Sequence, residues 1–142
     1  NSAPGAITRL IDMGVERFLV AATVDLVLAQ RLVRQLCTHC SIERPISAKE
    51  ALQLMNKELE GKSCFDHKGC VYCGGKGYSG RIGLFEMLPI DDKLARKITD
   101  GISEGEILAS MKEQGLNTLL EDGVAKILSG KTSISEVINA IG

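Results

Sequence analysis

Two Cys-x-x-Cys pairs constrain this chain more than any other feature: Cys37-Thr-His-Cys40 and Cys70-Val-Tyr-Cys73. Each pair places two thiols on one tight turn, and a loop that folds back can bring the two turns together. Four thiolates in a closed shell suit a tetrahedral zinc ion at about 2.3 Å per Zn–S bond, with no open position for a substrate. The pairs therefore predict a structural zinc site whose ligands are these four cysteines.

The loop between the pairs is unusually long. It has 29 residues, more than the about 15–20 residues of common zinc ribbons, so we expect additional structure inside it. Two disulfides, or four unrelated core thiols, are the alternative interpretation, although the composition is unlike that of a secreted disulfide scaffold. We expect Cys64 to be a free thiol. His39 or His67 could replace one sulfur, but we expect both to be exposed loop residues.

Composition and charge narrow the class of protein. The chain has 142 residues, of which 44% are apolar and 4% aromatic, so its core must be largely aliphatic. The longest apolar stretch, residues 18–28, is interrupted by polar residues, so we expect a soluble cytoplasmic protein without a membrane span or signal peptide. Residues 1–87 carry 11 basic and 9 acidic groups, and residues 88–142 carry 6 and 9. Neither half has the basic character typical of a nucleic-acid binder.

Hydrophobic periodicity and capping signals predict an α+β chain that is mostly helical. Ser2 and Pro4 suit the start of a first helix, and a chain that begins at Asn1 without Met suggests a piece of a longer protein. The predicted elements are helices over residues 2–14, 47–60, 92–99, 103–114 and 118–130 and from residue 133, strands over 28–37 and 81–88, and an ambiguous helix or strand over 18–30.

The two thiol pairs lie beside the two predicted strands. The first pair follows one predicted strand and the second precedes the other, so a shared metal ion would draw the strands into an antiparallel ribbon. Closing so long a connection costs chain entropy, which metal ligation offsets. After Pro89 the pattern turns helical, and four short helices predict a small C-terminal helical bundle.

Other motifs carry less weight. Gly130-Lys-Thr132 matches the end of a phosphate-binding P-loop, but Ala125 stands where the first glycine is required and a helix precedes it. Cys70 to Gly77 matches one copy of a unit that Hsp40-like zinc chaperones repeat four times. We find no triad or dyad, so we expect no catalytic and no cofactor-binding residue in this chain.

Basic residues flank the two thiol pairs. A zinc-ribbon nucleic-acid-binding module is therefore an alternative function, as is an Hsp40-like zinc chaperone domain. Stacking aromatics are scarce and the net charge is −1, so we expect no nucleic-acid partner. The basic residues concerned are Arg31, Arg34, Lys68, Lys76 and Arg81.

A series of short motifs occurs in one order along the chain. In that order they resemble the C-terminal part of the type II secretion and type IV pilus assembly ATPases, the GspE/PilB family. The resemblance covers nearly the whole chain. The motifs are Asn1-Ser-Ala, Arg9-Leu-Ile-Asp-Met-Gly14, Ala29-Gln-Arg-Leu-Val-Arg34, Leu36-Cys37, the two Cys-x-x-Cys pairs, Gly77-Tyr-Ser-Gly-Arg81, Phe85-Glu86, Thr118-Leu-Leu-Glu-Asp-Gly123 and Gly130-Lys-Thr-Ser133.

The resemblance implies a hexameric cytoplasmic ATPase as the parent protein, peripheral to the bacterial inner membrane. Its partners would be inner-membrane platform proteins, and its ATP and magnesium sites would lie upstream of this chain. Residues 1–36 would be the tail of a RecA-like core, 37–88 a tetracysteine zinc subdomain with a returning strand, and 89–142 a helical subdomain. The chain alone would be a non-catalytic structural and partner-contact module that meets the upstream core and neighbouring subunits.

The same resemblance predicts self-association of the isolated chain. Residues 1–36 would normally pack on a sheet that this chain does not contain. The apolar faces of the segment would then be exposed or covered by a second copy. The residues expected to form these faces are Phe18, Leu19, Val20 and Val27.

Overall fold

The computed structural model describes residues 2–142 as an α+β chain; Asn1, where the predicted first segment starts, lies outside the described residues. The helices are α1 (Ala3–Asp12), α2 (Arg17–Thr23), α3 (Ala48–Gln53), a 3₁₀-helix (Lys57–Leu59), α4 (Asp92–Asp100), α5 (Glu104–Glu113), α6 (Leu119–Leu128) and α7 (Ile134–Ile141). The strands are β1 (Leu26–Leu36), β2 (Ile42–Pro45), β3 (Ser63–Asp66) and β4 (Tyr78–Pro89). Every helix within residues 2–142 is too short or too polar to cross a membrane.

The predicted ribbon is present as the pairing of β1 with β4. The amide of Ile90 donates to the carbonyl of Asp25 at 2.9 Å, and the amide of Cys37 donates to the carbonyl of Gly77 at 3.0 Å. These two bonds join the start of one strand to the end of the other, so the strands run antiparallel. The connection between them contains both thiol pairs, as the sequence indicates.

A second antiparallel sheet, β2 with β3, lies inside this connection. Its register places Ile42 opposite Asp66 and Pro45 opposite Ser63. The sequence predicts extra structure in the loop but not these strands, because four residues each are too few for a clear alternation of apolar and polar side chains.

Helix starts follow their capping signals, whereas one predicted helix is shorter than expected. Ser47 and Glu50 form a complete capping box at α3. However, α3 ends at Gln53 instead of continuing to residue 60. The side chain of Asn56 accepts a hydrogen bond from the Glu58 amide at 3.1 Å, and this bond starts the separate 3₁₀-helix. The ambiguous residues 18–30 contain a helix followed by a strand.

Packing divides the chain into two compact units, each formed by two segments: Asn1–Gln30 with Phe85–Leu119, and Arg31–Leu84 with Leu120–Gly142. The last four helices, which we expected to form one bundle, are divided between the two units. Helices α4 and α5 belong to the first unit, where they pack on α2 and α1. A periodic pattern shows that a helix has an apolar face but not which neighbour covers it. The subdomain boundaries at residues 36 and 88, inferred from the family resemblance, stay a prediction.

The first unit has an aliphatic core. Val20, which we expected to be exposed or covered by a second copy, is buried in this core, and Val27 packs partly against it. Phe18 and Leu19 remain 58% and 45% exposed, as expected. The core residues are Ala3, Ile7, Val20, Leu88, Leu94, Ile98, Ile107 and Met111.

Candidate metal centre

The first thiol turn begins where β1 ends. Cys37 is buried, and its amide is fixed by the carbonyl of Gly77 across the ribbon. Its own carbonyl accepts from the amide of Ser41 at 3.2 Å, which closes the turn around Cys40. The end of the ribbon therefore sets the direction of both sulfurs of this pair.

The second turn depends on glycines at two tight approaches. Gly69 has φ +113° and Gly77 has φ +80°, both in the left-handed region that favours glycine. A Cβ at Gly69 would lie 2.5 Å from the carbonyl oxygen of Gly75, and one at Gly77 would lie 2.5 Å from the Cβ of His67. The glycines thus allow the chain to fold closely around Cys70 and Cys73.

The four sulfurs that the sequence predicts as ligands come together. Their Sγ atoms all lie within 4.8 Å of one another. The measured separations are 3.7 Å between Cys37 and Cys70, 3.9 Å between Cys40 and Cys73, and 3.7 Å between Cys70 and Cys73. A tetrahedron with Zn–S bonds of about 2.3 Å has edges of about 3.8 Å. These distances therefore fit a zinc tetrathiolate, and none is short enough for a disulfide, whose S–S bond is about 2.05 Å.

Backbone amides point at the sulfurs. Gly69 donates to Cys40 Sγ at 3.3 Å, Cys70 donates to Cys73 Sγ at 3.2 Å, and Gly77 donates to Cys73 Sγ at 3.1 Å. Donors of this kind stabilise negative charge on sulfur and orient a metal ligand. The second turn therefore supplies both two ligands and the amides that support thiolates.

The thiol pKa values reflect this asymmetry. Burial opposes ionisation of Cys73, but the amides of Cys70 and Gly77 outweigh it and lower the pKa of the Cys73 thiol to about 6. Burial raises the pKa of Cys70 to about 11, and the neighbouring thiols of Cys73 and Cys37 add to the increase. Without a cation, Cys73 is therefore the first of these two thiols to carry charge. A divalent cation is what would allow all four to be thiolates.

The other predicted ligand candidates lie apart from the sulfur cluster. Cys64 is a fully buried free thiol in β3, and burial raises its pKa. His39 is exposed and stacks on Tyr72, with ring centroids 4.0 Å apart. His67 is exposed and stacks on Tyr78 at 5.0 Å. The group of possible metal ligands found within residues 2–142 is made of the four paired cysteines alone.

The ribbon end that carries the first turn is held by the start of α7. Glu136 accepts three hydrogen bonds from Arg34: from its backbone amide at 2.7 Å, from Nε at 2.9 Å and from Nη2 at 2.7 Å. The same guanidinium lies 4.1 Å above the ring of Tyr78, whose hydroxyl bonds Ser133 Oγ at 2.8 Å. The predicted capping box at Ser133 is therefore only half formed, because the carboxylate of Glu136 is used by Arg34.

The segment that matches a P-loop ending has a structural role here. The Thr132 hydroxyl is buried and donates to the carbonyl of Arg34 at 2.8 Å. The carbonyl of Lys131 accepts from the amide of Leu36 at 2.9 Å. The segment follows α6 rather than a strand, so it joins α6 and α7 to the ribbon and has no phosphate-binding loop geometry.

A second polar cluster holds the small sheet within the connection. Arg44 contacts both oxygens of Glu50 at 2.7 and 2.6 Å and pairs with Asp66 through Nε. The hydrogen bonds from Arg44 lower the pKa of Glu50 to about 2. Sequence reasoning missed this cluster, although opposite charges in β2, α3 and β3 would have been a usable signal once those elements were known.

This α+β chain brings four thiols of a long strand-to-strand connection together, in a group that could hold a metal ion. The chain belongs to the Type II/IV secretion system protein family, which matches residues 1–139. This finding confirms the resemblance inferred from the ordered motifs.

Three relatives illustrate the match. The chain is 41% identical over 140 residues to the type IV pilus assembly ATPase PilB of Thermus thermophilus, covering 97% of this chain and 16% of that protein. It is 38% identical over 138 residues to the type II secretion system protein HxcR of Pseudomonas aeruginosa, covering 97% and 26%. It is 41% identical over 138 residues to the type II secretion system protein E of Klebsiella pneumoniae, covering 97% and 27%. The chain thus spans about a sixth to a quarter of these relatives.

Proposed function

We propose that this chain is a zinc-stabilised, non-catalytic C-terminal part of a hexameric ATPase that powers type II protein secretion or type IV pilus assembly. Its role is structural and partner-binding. The observation that carries the proposal is that the four Sγ atoms lie within 4.8 Å of one another and that three of their six separations, 3.7–3.9 Å, match the edge of a zinc tetrathiolate. The names of the relatives, pilus assembly ATPase and secretion system protein, support the assignment of the parent.

Zinc is structural in this proposal. The four ligands close the coordination shell, so the ion supplies no open position for a substrate. ATP and magnesium belong to the parent protein, in a part that this chain does not include. Residues 1–36 continue the RecA-like core, residues 37–88 are the zinc subdomain, and residues 89–142 are the helical subdomain.

The proposed partners follow from the parent. They are the upstream ATPase core, the neighbouring subunits of the hexamer and inner-membrane platform proteins, in the cytoplasm at the inner membrane. Nucleic acid is not among them. The isolated chain can also self-associate through residues 1–36, where Phe18 and Leu19 are exposed.

The first test is the metal content of the chain. Inductively coupled plasma mass spectrometry should give one zinc ion per chain for the wild type and none for Cys70→Ser, with a lower unfolding temperature for the variant. Cys64→Ala is the matched control, because Cys64 is buried but lies outside the sulfur cluster; it should keep the metal. Zinc absent from the wild type, or retained by Cys70→Ser, would contradict the four-cysteine site.

A second test addresses the parent. In the full-length ATPase, Cys70→Ser should weaken secretion or pilus assembly more than Cys64→Ala does. Purified 142-residue chain should release no phosphate from ATP above a no-protein blank. Hydrolysis by the chain alone would overturn its assignment as a non-catalytic part.

A further inference from the structure

The tip of the metal centre carries an exposed aromatic pair. His39 lies between the two cysteines of the first turn, and Tyr72 lies between those of the second. Their rings are 4.0 Å apart and inclined by only 20°. Tyr72 is 73% exposed and its neighbour Val71 is 88% exposed. The chain therefore exposes apolar side chains on two turns, and the ends of these turns are the four cysteines proposed as ligands.

Tyr72 is the more exposed of the two tyrosines in the chain. Aromatic residues make up 4% of the chain, and Tyr78, six residues further on, is only 6% exposed. Because the flanking cysteines are ligands, bound metal would hold both rings in place. A rigid aromatic surface loses little conformational entropy on binding a partner, which is a property of interface anchors.

The surroundings of the aromatic pair are basic. Residues 67–85 contain three basic residues, Lys68, Lys76 and Arg81, and no aspartate or glutamate. All three are exposed, and none takes part in an ion pair within residues 2–142. Two of these cations flank the second thiol turn in the sequence: Lys68 lies two residues before Cys70 and Lys76 three residues after Cys73. Exposed cations thus lie close in sequence to exposed apolar side chains, a combination that suits an acidic partner.

We propose that this surface, the knuckle tip formed by His39, Val71, Tyr72, Lys68 and Lys76, binds an acidic polypeptide segment of a partner protein. Carboxylates of the segment pair with the two lysines, and an apolar side chain of the segment packs on Val71 and Tyr72. The proposal deepens the partner-binding role given above and rests on it, because the geometry of the tip depends on the metal.

Two other occupants fit the surface less well. A nucleic-acid strand needs a series of aromatic rings on which successive bases can stack, whereas the tip offers Tyr72 with His39 beneath it. A lipid surface is usually bound through a helix with a long apolar face, whereas the tip presents two apolar side chains on a turn. An acidic peptide requires only a few carboxylates and one apolar anchor.

The test is a binding titration with the zinc-loaded chain and defined probes. The probe is a fluorescein-labelled 12-residue peptide that repeats Glu-Asp-Leu, and its uncharged counterpart repeats Gln-Asn-Leu. Fluorescence anisotropy should show saturable binding of the acidic peptide alone, weaker at 300 mM than at 50 mM salt. The double variant Lys68→Glu/Lys76→Glu should raise the dissociation constant by about tenfold or more, and Tyr72→Ser by about fivefold.

The control variant, Lys49→Glu/Lys57→Glu, makes the same change in charge on exposed lysines of α3 and the 3₁₀-helix, and should change affinity less than about twofold. Equal losses in both double variants would show a general charge effect and overturn the proposal. So would unchanged affinity in Lys68→Glu/Lys76→Glu, which would mean that these lysines only offset the charge of the thiolates. Tighter binding of a dT12 oligonucleotide, or of phosphatidylglycerol vesicles, would assign the tip to a different partner class.

Metal analysis of the same samples separates the two proposals. One zinc ion per chain without peptide binding would refute the docking surface and leave the structural assignment intact. A chain without zinc that still bound the peptide through Lys68 and Lys76 would refute the dependence of the tip on the metal. Loss of both zinc and binding would contradict the proposed function as well.

Discussion

A buried carboxylate in β4 offers a sharp test of how the first unit is held together. Glu86 is only 3% exposed. Its Oε1 accepts from the amide of Ala3 at 2.6 Å, and its Oε2 accepts from the amide of Leu119 at 2.9 Å. These are the first residues of α1 and α6. Because the first amides of a helix have no acceptor within the helix, one side chain caps two helices at once.

The size of the effect follows from these two bonds. A hydrogen bond to a charged group contributes about 1.5–3 kcal/mol, and a buried donor left without an acceptor costs about 1–3 kcal/mol. Glu86→Ala removes the acceptor of both amides, so we expect the free energy of unfolding to fall by about 3 kcal/mol or more. Glu86→Gln keeps the shape but turns one acceptor into a donor that faces an amide N–H. We therefore expect the glutamine variant to lose about 2 kcal/mol.

Urea denaturation followed by circular dichroism measures both losses. A change of about 3 kcal/mol should also lower the unfolding temperature by roughly 10 °C for a chain of this size. Glu113→Ala, an exposed carboxylate in the last turn of α5, is the control and should stay within about 0.5 kcal/mol of the wild type. If Glu86→Ala also stayed within that range, the two amides would not depend on Glu86 and the capping argument would be wrong.

Three further changes test the second unit. Glu136→Ala removes the acceptor of both the amide and the guanidinium of Arg34, so we expect about 1–2 kcal/mol less stability in urea denaturation. Arg44 holds the pKa of Glu50 at about 2, below its usual 4.5. After solvent screening, the pair contributes on the order of 2 kcal/mol to the free energy of unfolding; this contribution is complete above about pH 5 and is lost as pH falls towards 2. Thermal unfolding of the wild type and Glu50→Gln between pH 2 and 6 should therefore converge at the acid end. Gly77→Ala combines φ +80° with a Cβ contact of 2.5 Å, so zinc per chain should fall, whereas Gly105→Ala, which meets nothing within 4 Å, should retain it.

The candidate metal centre was the most predictable part of the molecule. Cys-x-x-Cys spacing is a local signal, because the turn that brings two thiols together is encoded within four residues. The pairing of the two turns followed from the strands beside them. The sequence shows that Gly69 and Gly77 lie beside the thiol pairs. It does not predict that their amides donate to the sulfurs, because the direction of an N–H is a property of the folded turn.

Long-range assignments were harder to predict. The sequence places Val20 on an apolar face that this chain would leave uncovered, but Val20 is buried because α4 packs on α2. The capping-box pattern predicts that the carboxylate of Glu136 bonds the backbone of Ser133, but the carboxylate pairs with Arg34, 102 residues away. Local capping costs little to lose, and charge-assisted hydrogen bonds from a guanidinium to a carboxylate are stronger. Sequence patterns identify the groups that need partners more readily than the partners themselves.

The long connection between β1 and β4 is the place where the proposed zinc ion would act. Closing a loop of about 40 residues costs roughly 3 kcal/mol of chain entropy, whereas structural zinc binding supplies about 10–16 kcal/mol. An ion bound by the four sulfurs would therefore provide several times what closure alone requires. The Arg44 cluster, which ties β2 and β3 to α3, adds to the order of the same connection. The four cysteines and the Arg44 cluster both lie inside the connection, whereas Glu136 and Ser133 hold the ribbon from which it starts. With an ion bound, the connection would be ordered despite its length, which is what the proposed contact of the exposed Tyr72 with a partner requires.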